Sequence, residues 1–129
     1  MMTGKEYKES LKKRNIVVYL QGKRIPAAEV PAHPFIRGHV NSAAVTYDMA
    51  WDPAYENLMT ATSHLTGKKI NRFTHIHQSV EDLVKKVKML RMLSLKTGTC
   101  YQRCVGFDAM NATYSTTYEM DQKYGTQYH

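Results

Sequence analysis

The fold turns on the stretch Ser79-Val80-Glu81-Asp82-Leu83-Val84-Lys85-Lys86-Val87-Lys88-Met89-Leu90-Arg91-Met92-Leu93-Ser94-Leu95-Lys96. Val80, Leu83, Val84, Val87, Leu90 and Leu93 recur at helical spacing, and Ser79 followed three residues later by Asp82 is a cap signature. The spacing therefore predicts a helix from Ser79 to about Lys96. Thr97-Gly98-Thr99 breaks it, and a second long helix is expected from about Cys100 towards Lys123, with Gly125 just beyond its end. Upstream, Thr60, Thr62, Ser63 and Thr66-Gly67 read as an ordered loop. Asp52-Pro53 closes one helix and opens another, with Asp52 as N-cap and Pro53 at the first helical position; the closing helix starts near Asn41 or Ser42. Pro26, Pro31 and Pro34 mark a loop, because each removes a backbone donor and disfavours the α region before it. Ile16-Val17-Val18-Tyr19-Leu20, Gln21-Gly22 and Lys23-Arg24-Ile25 read as strand, turn and strand. Thr3 and Glu6 form a capping-box pattern for a first helix to about Arg14. The sum is a mainly α domain over residues 1–129 with one small β-hairpin.

With 129 residues and 43% apolar content, the chain suffices for one modest domain with one core. No apolar run approaches the roughly 20 residues that span a bilayer, and Met1 to Arg14 has no apolar core of a secretory signal, so a cytoplasmic, membrane-free protein is expected. The net charge of +7 raises the question of nucleic acid. Its carriers, Lys12-Lys13-Arg14, Lys68-Lys69 and Lys85-Lys86-Lys88-Arg91, fall in separate elements and match no nucleic-acid-binding pattern, so solvated faces and no nucleic-acid partner are expected. A polyanionic small molecule such as a CoA thioester is compatible with the surplus.

Cys100 and Cys104 are spaced as one helical turn, which on a continuous helix puts both sulfurs on one face and within reach of a metal or cluster edge. A disulfide is disfavoured, since Cβ atoms at that spacing lie about 5–6 Å apart and a disulfide wants roughly 3.8 Å. Phe107, Asn111, Tyr114 and Tyr118 continue the stripe, so both cysteines are expected to be buried, either as inert core thiols or as ligands to a centre completed elsewhere. His75 and His77 flank Ile76 and read better as capping or carbonyl-bonding side chains than as a chelate. His33, His39, His64 and His129 are isolated, and the methionines read as adaptable core filler. No phosphate loop, nucleophile elbow or paired carboxylates in a recognisable setting appear, so no complete active site is written in this chain.

Tyr47-Asp48-Met49-Ala50-Trp51-Asp52-Pro53, the run Leu65 to Thr74, Thr97-Gly98-Thr99-Cys100-Tyr101-Gln102-Arg103-Cys104-Val105-Gly106-Phe107-Asp108-Ala109 and the tail Ser115 to Gly125 resemble the 4-hydroxybutyryl-CoA dehydratase/vinylacetyl-CoA Δ-isomerases. These sit within the wider family of flavin-dependent 4-hydroxyphenylacetate 3-monooxygenases. The resemblance implies the N-terminal helical domain of an acyl-CoA dehydrogenase-like fold, with the β domain and the C-terminal helical bundle outside this chain. It implies FAD and a 4Fe-4S cluster held by three cysteines and one histidine, with Cys100 and Cys104 matching the first two cysteines. It also implies conversion of 4-hydroxybutyryl-CoA to crotonyl-CoA, in a cytoplasmic homotetramer when full length, by an enzyme whose catalytic residues lie beyond these 129. As the family is known, the monooxygenase branch lacks the cysteine pair, which favours the dehydratase side. The alternatives are the N-terminal domain of an FAD-dependent aromatic hydroxylase, or a non-catalytic helical interaction module.

Overall fold

The computed structural model describes residues 1–100 and 103–129, and the side chains of all of these except Arg103 and Cys104. Among the described residues, five helices and two hairpins follow in the order α1 (Gly4–Lys13), β1 (Val18–Leu20), β2 (Lys23–Ile25), α2 (Arg37–Asp48), α3 (Glu56–Met59), β3 (Thr60–Thr62), β4 (Lys69–Asn71), a 3-10 turn (Arg72–Thr74), α4 (Val80–Thr97) and α5 (Arg103–Tyr124). The chain is mainly helical, as expected.

The capping box at α1 is complete: the Thr3 side chain accepts from the Glu6 N–H, and Glu6 accepts from the Thr3 N–H at 2.7 Å. This helix lies on α2 through a close approach at Gly4, whose N–H donates to Asp48 Oδ1 at 2.7 Å, and through stacking of Tyr7 on Tyr47 at 4.8 Å. The expected hairpin pairs Val18 with Ile25 and Leu20 with Lys23.

Three expectations need correction. A second hairpin exists where an ordered loop was read: Thr60 pairs with Asn71 and Thr62 with Lys69. Its strands are three residues long, and its turn residues hide the pattern, with Gly67 at φ +66°. Helix α2 starts at Arg37, before Asn41, and has no side-chain cap. Turn bonds from the Ile36 and Arg37 N–H groups to the His33 carbonyl lead into it, so no cap residue announces it. Asp52 organises a turn and does not cap a helix: its side chain accepts from the Ala54 N–H at 2.9 Å, while the helix proper is the single turn α3.

The core gathers Met49 and Ala50 after α2, Met59 of α3, Phe73 of the 3-10 turn, and Met89 and Leu93 of α4. Met59 and Met89 are fully buried, which agrees with methionine as core filler. On α4, however, Val80, Leu83, Val84 and Val87 form a stripe on the opposite side from Met89 and Leu93, and all four are exposed. Gly98 ends α4 in the left-handed region at φ +62°, its N–H donating to the Ser94 carbonyl. Gly125 similarly follows α5 at φ +66°. No helix among the described residues is long and apolar enough to cross a membrane.

Candidate functional site

The segment between the 3-10 turn and α4 carries the densest polar chemistry. Arg72 is 3% exposed. It donates from Nε to the Leu58 carbonyl at 2.8 Å, from Nη2 to the carbonyls of Thr60 at 2.6 Å and Asn57 at 3.3 Å, and from Nη1 to Asp82 Oδ1 at 3.3 Å. Planar guanidinium geometry suits this many-sided grip on the backbone of α3 and β3. His75, also buried, sets Nε2 3.2 Å from the same Asp82 oxygen. The other oxygen, Oδ2, accepts from the Gln78 N–H at 3.0 Å and the Ser79 hydroxyl at 3.2 Å. Burial pushes the Asp82 carboxyl up, but the hydrogen bonds from Gln78, His75 and Ser79 outweigh it and hold the group at about 2. An open groove of about 690 Å³ runs beside this network, lined by Asn57, Lys69, Arg72, His75, Asp82 and Lys85 among others. Its cations are committed: Lys69 to Glu56, Lys85 to Glu81, Arg72 to Asp82.

Helix α5 docks beside this network. Phe107, 2% exposed, meets the Phe73 ring at 6.3 Å and the His77 ring at 4.7 Å, and Lys86 pairs with Asp108 and lies over the Phe107 ring. Asn111 Oδ1 accepts the His77 N–H at 2.8 Å. Burial, then Lys86 and His75, push the His77 imidazole below its ordinary value, favouring the neutral ring in this seam. His75 thus serves as a carboxylate partner and His77 as a ring contact in the α5 seam, where capping or carbonyl-bonding roles were expected.

Cys100 is placed differently from the expectation. Cys100 lies outside both α4 and α5, because Gly98 has already ended the first helix and the second is described only from Arg103. The thiol is free and exposed, so neither burial nor a shared helical face holds for it. Cys104 is the second residue of α5, and its side chain lies outside the described residues, as do Tyr101 and Gln102. Of the expected stripe, Phe107 is buried, Asn111 and Tyr114 are half-buried and Tyr118 is exposed. Among the described residues no three His, Cys, Asp or Glu side chains converge to hold a metal. The donor set fits a thiolate-held cluster only as a partial site: a soft, accessible sulfur on a connection between two helices, open to ligands from elsewhere.

Comparison with known proteins decides the family. The family model for the N-terminal region of 4-hydroxyphenylacetate 3-hydroxylase matches residues 3–129. The chain belongs to this family. It is 56% identical over all 129 residues to the 4-hydroxybutyryl-CoA dehydratase/vinylacetyl-CoA Δ-isomerase of Clostridium aminobutyricum, covering 26% of that protein. The oxygenase component of 4-hydroxyphenylacetate 3-monooxygenase from Thermus thermophilus is 32% identical over 84 residues, 65% of this chain and 17% of the relative. Among solved structures, an oxygen-tolerant archaeal 4-hydroxybutyryl-CoA dehydratase from N. maritimus superposes with a TM-score of 0.88 at 51% identity, over 96% of this chain and 24% of that one. An oxygenase component of 4-hydroxyphenylacetate 3-monooxygenase complexed with FAD gives 0.61 at 29% identity, over 73% of this chain and 19% of that one. The chain thus spans about a quarter of the dehydratases it matches. These likenesses bear out the family resemblance and the expected fold class.

Proposed function

We propose that this chain is the N-terminal part of a cytoplasmic, flavin- and iron-sulfur-dependent dehydratase that converts 4-hydroxybutyryl-CoA to crotonyl-CoA and isomerises vinylacetyl-CoA. In this reading Cys100 and Cys104 are two ligands of its 4Fe-4S cluster. The observation that carries the reading is the 56% identity to the dehydratase over all 129 residues. Against the oxygenase component it is 32% over 84 residues.

When bound, the cluster would supply a Lewis acid for the departing hydroxyl and FAD would supply redox chemistry at the substrate carbons. This chain's part is to hold and orient. Cys100 presents an accessible sulfur from a connection anchored on one side by the Gly98 turn, and Cys104 rides on a helix docked through Phe107, Asp108 and Asn111. The cluster that the resemblance implies takes three cysteines and this chain has two, so in this reading it is completed by further polypeptide, and the isolated chain turns over no substrate.

The test is anaerobic assay of the full-length enzyme with 4-hydroxybutyryl-CoA. Formation of crotonyl-CoA is expected. Hydroxylation of 4-hydroxyphenylacetate with reduced flavin and oxygen, with no dehydration, would overturn the reading in favour of an aromatic hydroxylase.

A further inference from the structure

Asparagine is a poor helix former, yet Asn111 sits inside α5, half-buried, with its side chain almost fully used. Oδ1 accepts the His77 N–H at 2.8 Å, while Nδ2 donates to the His75 carbonyl at 3.2 Å and to the Phe107 carbonyl at 3.0 Å. One amide therefore ties α5 to the backbone of the segment that also carries the Arg72, His75 and Asp82 network. Asn111 does not act alone. Phe107, Asp108 and Asn111 follow Cys104 at i+3, i+4 and i+7 in the helix register, so the three contacts together fix the rotation of the turns that carry its backbone. Phe107 is wedged between Phe73 and His77, and Asp108 is paired with Lys86. Turning α5 by a single residue, about 100°, would break all of them together, so its rotational setting is discrete.

We propose that Asn111 is a positioning residue: it sets the rotation of the first turns of α5 and thereby the place from which Cys104 reaches the cluster. This rests on the reading of Cys104 as a ligand. Groups that orient a metal's ligands typically change metal retention by 10–100-fold when removed.

The experiment compares wild type, Asn111→Ala, Asn111→Asp and the remote control Leu11→Ala, all in the full-length enzyme, by amide hydrogen exchange over residues 104–111 and by the rate of iron release to a chelator. Leu11 is a buried residue of α1. Asn111→Ala is expected to raise exchange over 104–111 and to release iron about tenfold faster. Asn111→Asp keeps the acceptor for His77 but turns a carboxylate oxygen towards the His75 and Phe107 carbonyls, and should loosen 104–111 at least as much as Asn111→Ala; exchange unchanged from wild type in it also overturns the proposal. Leu11→Ala should weaken the fold yet match wild type in both readouts. Unchanged exchange in Asn111→Ala, or an equal change in Leu11→Ala, overturns the proposal. An iron-free wild type in which Asn111→Ala still loosens 104–111 upholds the lock on α5 and overturns the cluster reading.

Discussion

Two polar regions lie at the two ends of α4 and are built on opposite principles. At its start, Arg72, His75, Ser79 and Asp82 are held in a mesh of side-chain and backbone bonds, with Arg72 almost entirely out of solvent. Past its end, Cys100 has an exposed, free thiol on a connection between helices. A buried charge must have its hydrogen bonds satisfied locally or the fold suffers. A ligand to a group shared with other polypeptide must keep its reactive atom available. The first region is therefore where stability resides, and the second, in the function proposed above, is where chemistry would be completed from outside.

The largest effect should come from Arg72→Ala, which leaves Asp82 short of a cation and strips donors from three backbone carbonyls. A loss of about 3–5 kcal/mol in urea unfolding is expected; a loss under about 1 kcal/mol would erase the contrast between the two ends. Asp82 sharpens it through pH. Its carboxyl sits at about 2 in the fold against an ordinary 3.8, so its stabilisation is present above pH 4 and lost as pH falls towards 2. That difference is worth on the order of 2 kcal/mol. Asp82→Asn should flatten the acid limb of a stability-against-pH curve, and an unchanged limb would locate the acid sensitivity elsewhere. Gly98→Ala, at a left-handed position, should cost about 1 kcal/mol in thermal unfolding. The smallest effect is expected for Cys100→Ala, whose exposed thiol has little packing to lose: less than about 0.5 kcal/mol. A large loss would place that sulfur in the fold's framework.

Little of this contrast beyond the helix caps is legible in the sequence, and the gaps have physical causes. Thr3 with Glu6, and Ser79 with Asp82, announce α1 and α4 because capping is a local bond between neighbours. The roles of Arg72 and Asn111 were invisible, because each bonds to carbonyl or amide groups that only tertiary folding brings near. The periodicity of α4 was legible while its meaning was divided: Met89 and Leu93 face this chain's core, and Val80, Leu83, Val84 and Val87 face outward. The spacing of Cys100 and Cys104 invites one helix for both, whereas Cys100 lies outside α5 and only Cys104 lies within it.

The central claim is that Cys100 and Cys104 hold a cluster, and iron and acid-labile sulfide analysis of the anaerobically purified full-length enzyme tests it most directly. The account predicts a 4Fe-4S complement in wild type, and its loss from the Cys100→Ala, Cys104→Ala double variant while the protein remains folded. Wild type without iron, or a double variant that keeps all of it, would contradict the account.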